Sequence, residues 1–236
     1  MQGGGICGRF EDAIEIQSSV SNTSYDLVNI TGGIIDGANY GIYAPSGSGL
    51  KQVTIKGGEF KNIRYYGVYD GSLELSVSGG SFSGYSSSNA YGIYVNSSGT
   101  LELDGTVKFS DNRNGDIYVG NSSTNYINVG SNLAVASGCK GISIATGKTG
   151  LTSTNLARFT KTGSHLASKK DLFYSATNSS YGVYEKEDGA TSYYLEVGPT
   201  PDRTITVVPK IEGINTPGFY TETVDGKETT VNNVGK

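Results

Sequence analysis

Tyrosines recur at one position of a repeated four-residue motif. Tyr-Gly-Ile-Tyr at residues 40–43 returns in variant form at 66–69, 91–94 and 115–118, and its last position holds Tyr43, Tyr69, Tyr94 and Tyr118. Rings repeated on one face make a ribbed apolar strip with hydroxyls along it, which suits sugars and extended peptides. The same rings could instead only stabilise neighbouring strands, by about 0.2–1 kcal/mol per pair. Both hypotheses, a binding strip and structural stacking, stay open at this point.

Acidic residues offer a second kind of chemistry, the cleavage of polysaccharides. A glycoside hydrolase places two carboxyl groups beside the scissile bond, whereas a lyase uses Asp-bound Ca²⁺ and a basic residue. The candidates are Asp36, Glu59, Asp70, Glu74, Glu102, Asp104, Asp111 and Asp116, with Lys61 and Arg64 as basic residues. They form no dense cluster at any position of the repeat, and charge alone is weak support for a catalytic site. We therefore predict no catalytic residues and a chain that is not an enzyme.

The histidine and cysteine content argues against metal chemistry. His165 is the single histidine, and Cys7 and Cys139 are the two cysteines, too few for a thiolate zinc site without further ligands nearby. The repeat places the two cysteines about five coils apart, on the order of 24 Å, whereas a disulfide needs Cα atoms within about 7 Å. We expect two free thiols, both buried as small core residues, and no metal or cofactor.

A fixed period organises the chain around these residues. The motif glycines at 41, 67, 92, 115 and 141 are 26, 25, 23 and 26 residues apart, which indicates stacked repeats. Half a repeat away, blocks such as 52–60, 73–82 and 101–109 alternate apolar and polar residues, as half-buried strands do. Apolar residues at helical spacing and a leucine-rich consensus are missing, and a propeller blade needs about 40 residues.

These patterns predict an all-β fold, a right-handed parallel β-helix of about five to seven coils with a β-rich C-terminal cap. One inward stack is predicted to contain Ile42, Val68, Ile93, Ile117 and Ile142, with the four tyrosines and Ser143 outward. Two further inward stacks are predicted to contain Ile30, Ile55, Val77 and Leu103, and Ile34, Phe60, Phe82 and Phe109. A companion set, Tyr40, Tyr66 and Tyr91, is expected to pack at a corner of the coil.

The domain organisation follows from where the period ends. Residues 1–147 are predicted to form the coils, the first of them incomplete. Residues 148–198 are predicted to form an irregular last coil or a capping hairpin around Asp188-Gly189. Residues 199–236 are interpreted as a linker and a β-hairpin tail around Asp225-Gly226, which could also begin a next module.

Composition narrows the possible partners. The formal net charge is −4 and no Lys/Arg cluster occurs, so we expect neither nucleic acid nor an acidic membrane surface as a partner. No apolar run approaches the roughly 20 residues of a membrane helix, so membrane insertion is not expected. Residues 1–5 lack the charged start and apolar core of a signal peptide, and a signal and any anchor are expected outside this chain.

The repeated units resemble a known family. The Gly-Ile/Val-Tyr and Val-x-Ile-x-Gly-Gly-x-Phe units resemble those of pectin-lyase-like β-helices in large adhesin-like surface proteins of Gram-positive gut bacteria, and residues 111–119 and 127–129 are similar to a segment near the ends of such repeats. The resemblance covers about residues 25–197. It implies an extracellular, cell-surface module, not an enzyme, that spaces or presents a binding face for a glycan or a host surface protein. The alternative is a polysaccharide lyase or glycoside hydrolase on the same scaffold.

Overall fold

The computed structural model is an all-β solenoid of about five turns. It describes residues 3–17, 28–46, 51–71, 73–85, 87–96, 99–121, 126–152, 156–160, 169–187 and 193–200, together with the strand backbones at 203–208, 219–224 and 227–232. In this part of the chain the helical content is a short 3₁₀ helix at Lys170–Leu172, and no helix is long and apolar enough to cross a membrane. The predicted all-β solenoid is therefore confirmed.

Three parallel sheets form the walls of the solenoid, and successive strands of each sheet come from successive coils. Sheet A contains Gly5–Cys7, Ile34–Asp36, Glu59–Lys61, Ser81–Ser83, Thr106–Ser110 and Ala134–Val135. Sheet B contains Asp12–Glu15, Tyr40–Ala44, Tyr66–Asp70, Tyr91–Val95, Ile117–Val119, Ile142–Thr146 and Phe173–Ser175. Sheet C contains Val28–Ile30, Lys51–Ile55, Leu73–Val77, Thr100–Leu103 and Ile127–Val129.

The core is a set of side-chain stacks that run along the solenoid axis. The predicted stack of sheet C is confirmed, because Ile30, Ile55, Val77 and Leu103 are buried and follow one another in register. In sheet A the buried rings of Phe60, Phe82 and Phe109 stack with centroids 4.8 and 5.2 Å apart. Like side chains meet because parallel pairing places equivalent residues of neighbouring coils side by side.

One member of the predicted stacks is wrong by one residue. Ile35, not Ile34, is buried, because the strand pairing places Ile35 beside Phe60 and Ile34 beside Glu59. Ile142 is buried in the core, as predicted, but the register is shifted by two residues, so Ile144 pairs with Ile117. Ser143, predicted to point outward, is also buried, because the shift of two residues brings it beside Asp116 instead of Tyr118.

Glycine pairs form the corner between sheets C and A. Gly58 and Gly80 follow their sheet C strands with φ of +95°, a left-handed conformation that L side chains rarely adopt. At Gly79, an added Cβ would lie 2.5 Å from the carbonyl oxygen of Lys56 in the preceding coil. The Gly-Gly step therefore turns the chain and lets neighbouring coils approach closely.

Antiparallel strands follow the parallel coils. Ala157–Arg158, Tyr193–Gly198 and Gly182–Glu187 form one antiparallel sheet, and Arg203–Val208, Phe219–Val224 and Lys227–Asn232 form another. The strand pairing of both predicted hairpins is confirmed. Their turn residues, Asp188-Gly189 and Asp225-Gly226, and also His165, lie outside the described residues.

The cysteines are free, as predicted, but they are not buried. Cys7 is exposed and pairs with Asp36, whose equivalents in the following coils are Lys61, Ser83 and Ser110. This position of sheet A therefore faces outward in every coil. Cys139 is half-buried in the turn that follows Ala134–Val135. The general tendency of free cysteine to be buried does not hold at an outward strand position or in a turn.

Candidate binding surface

The four predicted tyrosines lie side by side on sheet B. Tyr43, Tyr69, Tyr94 and Tyr118 pair in register on four consecutive strands, and each is half-buried. Their ring centroids are 5.1, 5.3 and 4.4 Å apart along the row. The residue just before or after each of them is buried, so the strands hold the rings on their outer face.

The companion tyrosines join the same surface instead of packing apart at a corner. Tyr40, Tyr66 and Tyr91 form a second row in register. Tyr40 lies 4.9 Å from Tyr43, and Tyr66 lies 4.7 Å from Tyr94, measured between ring centroids. Both rows face outward although they are three residues apart, because the intervening glycine does not pair in the regular strand register.

Glycine between the two rows is required by the close approach of the coils. An added Cβ at Gly67 would lie 2.5 Å from the carbonyl oxygen of Gly92 and 3.1 Å from the ring of Phe82. An added Cβ at Gly92 would likewise lie 2.8 Å from the carbonyl oxygen of Asp116. The glycine of the Tyr-Gly-Ile/Val-Tyr motif thus lets the coils stack tightly enough for rings on successive strands to touch.

Tyr65 extends the aromatic contacts towards one corner of the solenoid. Its ring centroid lies 5.5 Å from that of Tyr40 and 6.5 Å from that of Tyr66. The guanidinium carbon of Arg64 lies 5.0 Å from the centroid of the same ring. We refer to the two rows and this ring together as the tyrosine surface: Tyr40, Tyr43, Tyr65, Tyr66, Tyr69, Tyr91, Tyr94 and Tyr118.

Stacking decides which part of each ring a ligand could touch. The planes of Tyr69 and Tyr94 differ by 10°, and those of Tyr94 and Tyr118 by 6°. Neighbouring rings therefore cover one another's faces, and the row presents ring edges and hydroxyls. Tyr66 is tilted by 50° against Tyr40 and by 36° against Tyr94, so the second row is less regular.

Raised pKa values favour the neutral form of the hydroxyls of Tyr66 and Tyr94. Burial, followed by the neighbouring Tyr40 and Tyr91, raises the pKa of Tyr66 to about 12. Burial is also the main cause that raises the pKa of Tyr94, with Tyr118 next. A neutral phenol can both donate and accept a hydrogen bond, and the Tyr69 hydroxyl accepts one from Asn96 Nδ2 at 3.0 Å.

Carboxylates border the tyrosine surface at one end. Asp12 pairs with Tyr40, and Glu15 pairs with Tyr43, so each row continues into an acidic residue in the first coil. Burial, and then the charges of Glu15 and Glu11, raise the pKa of Asp12. This end of the surface therefore carries negative charge, and the rest is neutral and aromatic.

Two of the other candidates, Glu74 and Glu102, line a common concavity on the outer face of sheet C. The groove of about 370 Å³ is also lined by Gln52, Thr54, Ser76, Thr100 and Asn128. Glu74 pairs with Thr100 and Glu102 with Ser76, so the two glutamates are diagonal neighbours, with Cα atoms about 7–8 Å apart. Gln52 Nε2 donates to Glu74 Oε2 at 3.2 Å.

The remaining candidates are not among the residues that line this groove. Lys61 Nζ lies 3.2 Å from Glu59 Oε2 and 4.0 Å from Asp36 Oδ2 on the outside of sheet A, and these are ordinary surface ion pairs. Asp70 and Asp116 are buried in sheet B. Asp104 accepts a hydrogen bond from Asn132, and Asp111 is exposed with φ of +56°. The last candidate is Arg64, which lies over the ring of Tyr65. Within the described residues, no three His, Cys, Asp or Glu side chains could hold a metal ion.

A buried hydrogen-bond network near the tyrosine surface was not anticipated from the sequence. Asp116 Oδ2 accepts from the backbone N–H and Oγ of Ser143 at 2.7 and 2.8 Å, and Asp116 Oδ1 accepts from Asn112 Nδ2 at 2.8 Å. Burial raises the pKa of Asp116, although these bonds act in the opposite direction. The network joins two neighbouring coils. The only signal for it in the sequence was the pair of polar residues Asp116 and Ser143, at positions that hold glycine or an apolar residue in other coils.

No protein-family model, curated protein or solved structure matches this chain. The β-solenoid architecture is shown by the sheet order of the structure. The geometry of the tyrosine surface is the basis for a proposed function.

Proposed function

We propose that this chain is a non-enzymatic recognition module that binds an extended glycan along the tyrosine surface. The observation that carries the proposal is the continuous row of stacked rings at Tyr69, Tyr94 and Tyr118, half-exposed on a regular sheet. Exposed aromatic surfaces of this extent are typical of recognition sites.

The geometry favours an elongated ligand that offers polar groups at regular intervals. Successive rings of the first row are 4.4–5.3 Å apart, and tyrosine hydroxyls can both donate and accept hydrogen bonds, with apolar ring edges between them. Sugar chains combine closely spaced hydroxyls with apolar C–H faces, so they complement such a surface. An extended host protein segment is the competing ligand, and it becomes an outcome of the test.

The cellular setting is part of the proposal. We place the module outside the cell, as an adhesin-like part of a surface protein. Only 17% of the residues are charged, and the polar positions of the coils are filled by Ser, Thr, Asn and Gly, a composition that suits a solvated stalk. The motif resemblance to pectin-lyase-like β-helices of surface proteins supports the same setting.

The test is a glycan and mucin array with three double variants: one that removes hydroxyls, a matched control, and Tyr69→Ala/Tyr94→Ala, which removes the rings. Tyr69→Phe/Tyr94→Phe removes two hydroxyls and keeps the stacked rings. Tyr181→Phe/Tyr184→Phe removes two hydroxyls beside or within the Gly182–Glu187 strand, outside the tyrosine surface. We expect selective binding by the wild type and the control, and loss of at least about tenfold in affinity in the first variant, the size of one or two lost hydrogen bonds. Binding that survives Tyr69→Ala/Tyr94→Ala would refute the site, and no glycan binding would leave a protein ligand.

A second candidate function is polysaccharide cleavage in the sheet C groove. The observation that favours it is the presence of two carboxylates, Glu74 and Glu102, along one groove on adjacent strands. The measurement is the release of reducing ends or unsaturated sugars from a panel of polysaccharides. Activity abolished by Glu74→Gln/Glu102→Gln would replace the recognition proposal with an enzymatic one.

A further inference from the structure

A second concavity opens at the corner between sheets A and B, beside the tyrosine surface. It measures about 420 Å³ and is lined by Arg9, Phe10, Glu11, Gly37, Asn39 and Arg64. These residues come from three successive coils, so the stacking of the coils builds the pocket. Backbone bonds from Asn39 to Phe10 and from Arg64 to Ala38, each 2.9 Å long, fix the three layers relative to one another.

Phe10 forms an apolar wall of this corner pocket. Its side chain is 47% exposed. Among the residues whose side chains the structure describes, it is the only large hydrophobic one that is exposed. The ring lies against Gly8, where an added Cβ would be 3.0 Å from Phe10 Cε2. Glycine at this position thus leaves room for the ring to rest on the backbone and present its other face to the pocket.

Two arginines supply positive charge to the pocket of an otherwise acidic chain. The Arg9 side chain is exposed, and it makes no hydrogen bond or ion pair with another residue that the structure describes. Arg64 is exposed as well and lies over the ring of Tyr65, which restricts its orientation. Guanidinium groups bind carboxylates and similar oxyanions through paired N–H donors.

We propose that this corner pocket binds an acidic sugar residue of the glycan that lies on the tyrosine surface, so the inference rests on the function proposed above. Arg9 and Arg64 pair with the carboxylate or sulfate group of the sugar, and Phe10 packs against the apolar face of its ring. Glu11 and Asn39 are placed to bond its hydroxyls. Because Phe10, Glu11 and Asn39 contact only the sugar ring and its hydroxyls in this arrangement, the pocket favours a sugar acid over inorganic sulfate or phosphate.

The pocket and the tyrosine surface form one continuous path for a chain ligand. Tyr65 contacts Arg64 on one side and Tyr40 and Tyr66 on the other. A sugar chain on the tyrosine rows therefore reaches the pocket without leaving the protein surface. The two arginines then select chains that carry an anionic substituent at that end.

The test compares acidic sugars with their neutral counterparts by calorimetry or saturation-transfer NMR. The probes are sialyllactose against lactose, and N-acetylglucosamine 6-sulfate against N-acetylglucosamine, with inorganic sulfate alone as a further ligand. The variant is Arg9→Gln/Arg64→Gln. The control is Lys56→Gln/Lys108→Gln, which removes the same charge at exposed positions outside the pocket.

We expect the wild type and the lysine control to bind one acidic probe at least about tenfold more tightly than its neutral partner, the value of one charge-assisted hydrogen bond. The arginine variant should lose this preference and keep any binding of neutral glycans. Equal affinity for acidic and neutral probes, or an acidic preference that survives in the arginine variant, would overturn the pocket but leave the tyrosine proposal standing. Tight binding of inorganic sulfate alone would overturn the sugar assignment. No binding of any of the four sugar probes would overturn the pocket, whereas the glycan array decides the tyrosine proposal separately.

Discussion

Replacing the buried Asp70 by asparagine should remove a pH-dependent loss of stability. Asp70 is fully buried in sheet B, where it pairs with Ala44 and Val95 in the neighbouring coils. Its Oδ1 accepts from the backbone N–H of Leu73 at 2.7 Å, and its Oδ2 has no hydrogen-bond partner among the described residues. Burial raises the pKa of Asp70 well above 3.8, although the bond from Leu73 acts in the opposite direction.

The sign and size of the effect follow from proton linkage. Below pH 3.8 the carboxyl is protonated in both the folded and the unfolded chain, and its burial carries no charge penalty. Above that pH the unfolded chain releases the proton first, so the free energy of unfolding falls by about 1.4 kcal/mol per pH unit until the pH reaches the folded pKa. Between about pH 4.5 and about pH 6.5 the loss from this group is therefore about 1.4 kcal/mol for each pH unit that stays below the folded pKa.

Urea unfolding of wild type and Asp70→Asn, followed by circular dichroism at these two pH values, measures the difference. The asparagine carbonyl can still accept from Leu73, and its amide adds a cost that does not change with pH. All other titrating groups are common to both proteins and cancel. We expect the variant to gain about 1.4 kcal/mol relative to wild type for each pH unit below the folded pKa of Asp70.

Asp104→Asn serves as the control with a pKa shift of opposite sign. Desolvation raises the pKa of Asp104, but hydrogen bonds from Gly105 and Asn132 and the charge of Lys169 outweigh it and lower that pKa. Its stabilising contribution is complete above pH 3.8 and is lost only as the pH falls below that value, so the stability difference between this variant and wild type should stay nearly constant between about pH 4.5 and about pH 6.5. Parallel pH profiles for wild type and Asp70→Asn would refute the reasoning about Asp70.

Three further outcomes are expected. Phe82→Ala should lower the free energy of unfolding by about 3–5 kcal/mol by breaking the phenylalanine stack, whereas Ser83→Ala should change it by less than about 0.5 kcal/mol in the same urea assay. The pKa of Tyr66 is raised from 10.0 to about 12. The free energy of unfolding should therefore fall as the pH rises from 10 towards 12, and it should fall less in Tyr66→Phe. Equal losses in the two proteins would contradict this. Exposed Cys7 should react with a thiol reagent faster than half-buried Cys139 in the native protein. Equal rates would contradict this difference in exposure between the two cysteines.

The spacing of repeated motifs was enough to predict most of the fold. Regular glycine steps, together with alternating blocks, indicate the coil period and the inward stacks such as Ile30–Ile55–Val77. The error at Ile34 has a simple cause. Where two apolar residues are adjacent, alternation alone does not say which of them faces inward, and backbone pairing with the next coil decides.

The binding surface was predictable only in part. The row from Tyr43 to Tyr118 follows from strand alternation, but the second row breaks that rule at the glycine, and only the pairing register reveals it. The corner pocket was invisible in the sequence, because Arg9 and Arg64 are far apart in the chain and meet through turns. Stacking of the rings with their faces covered is likewise a matter of side-chain packing that no spacing pattern specifies.

Because the coils stack in register, the length of the aromatic surface can change by one whole coil at a time. Each coil contacts mainly its neighbours, so a duplicate of residues 67–91 inserted after Tyr91 would stack on the same apolar columns and add one tyrosine to each row. One added coil lengthens the aromatic surface by about 4.8 Å, whereas a fraction of a coil would turn inward side chains outward. Duplication or deletion of a single gene segment therefore offers a stepwise route to longer or shorter ligands with an unchanged core.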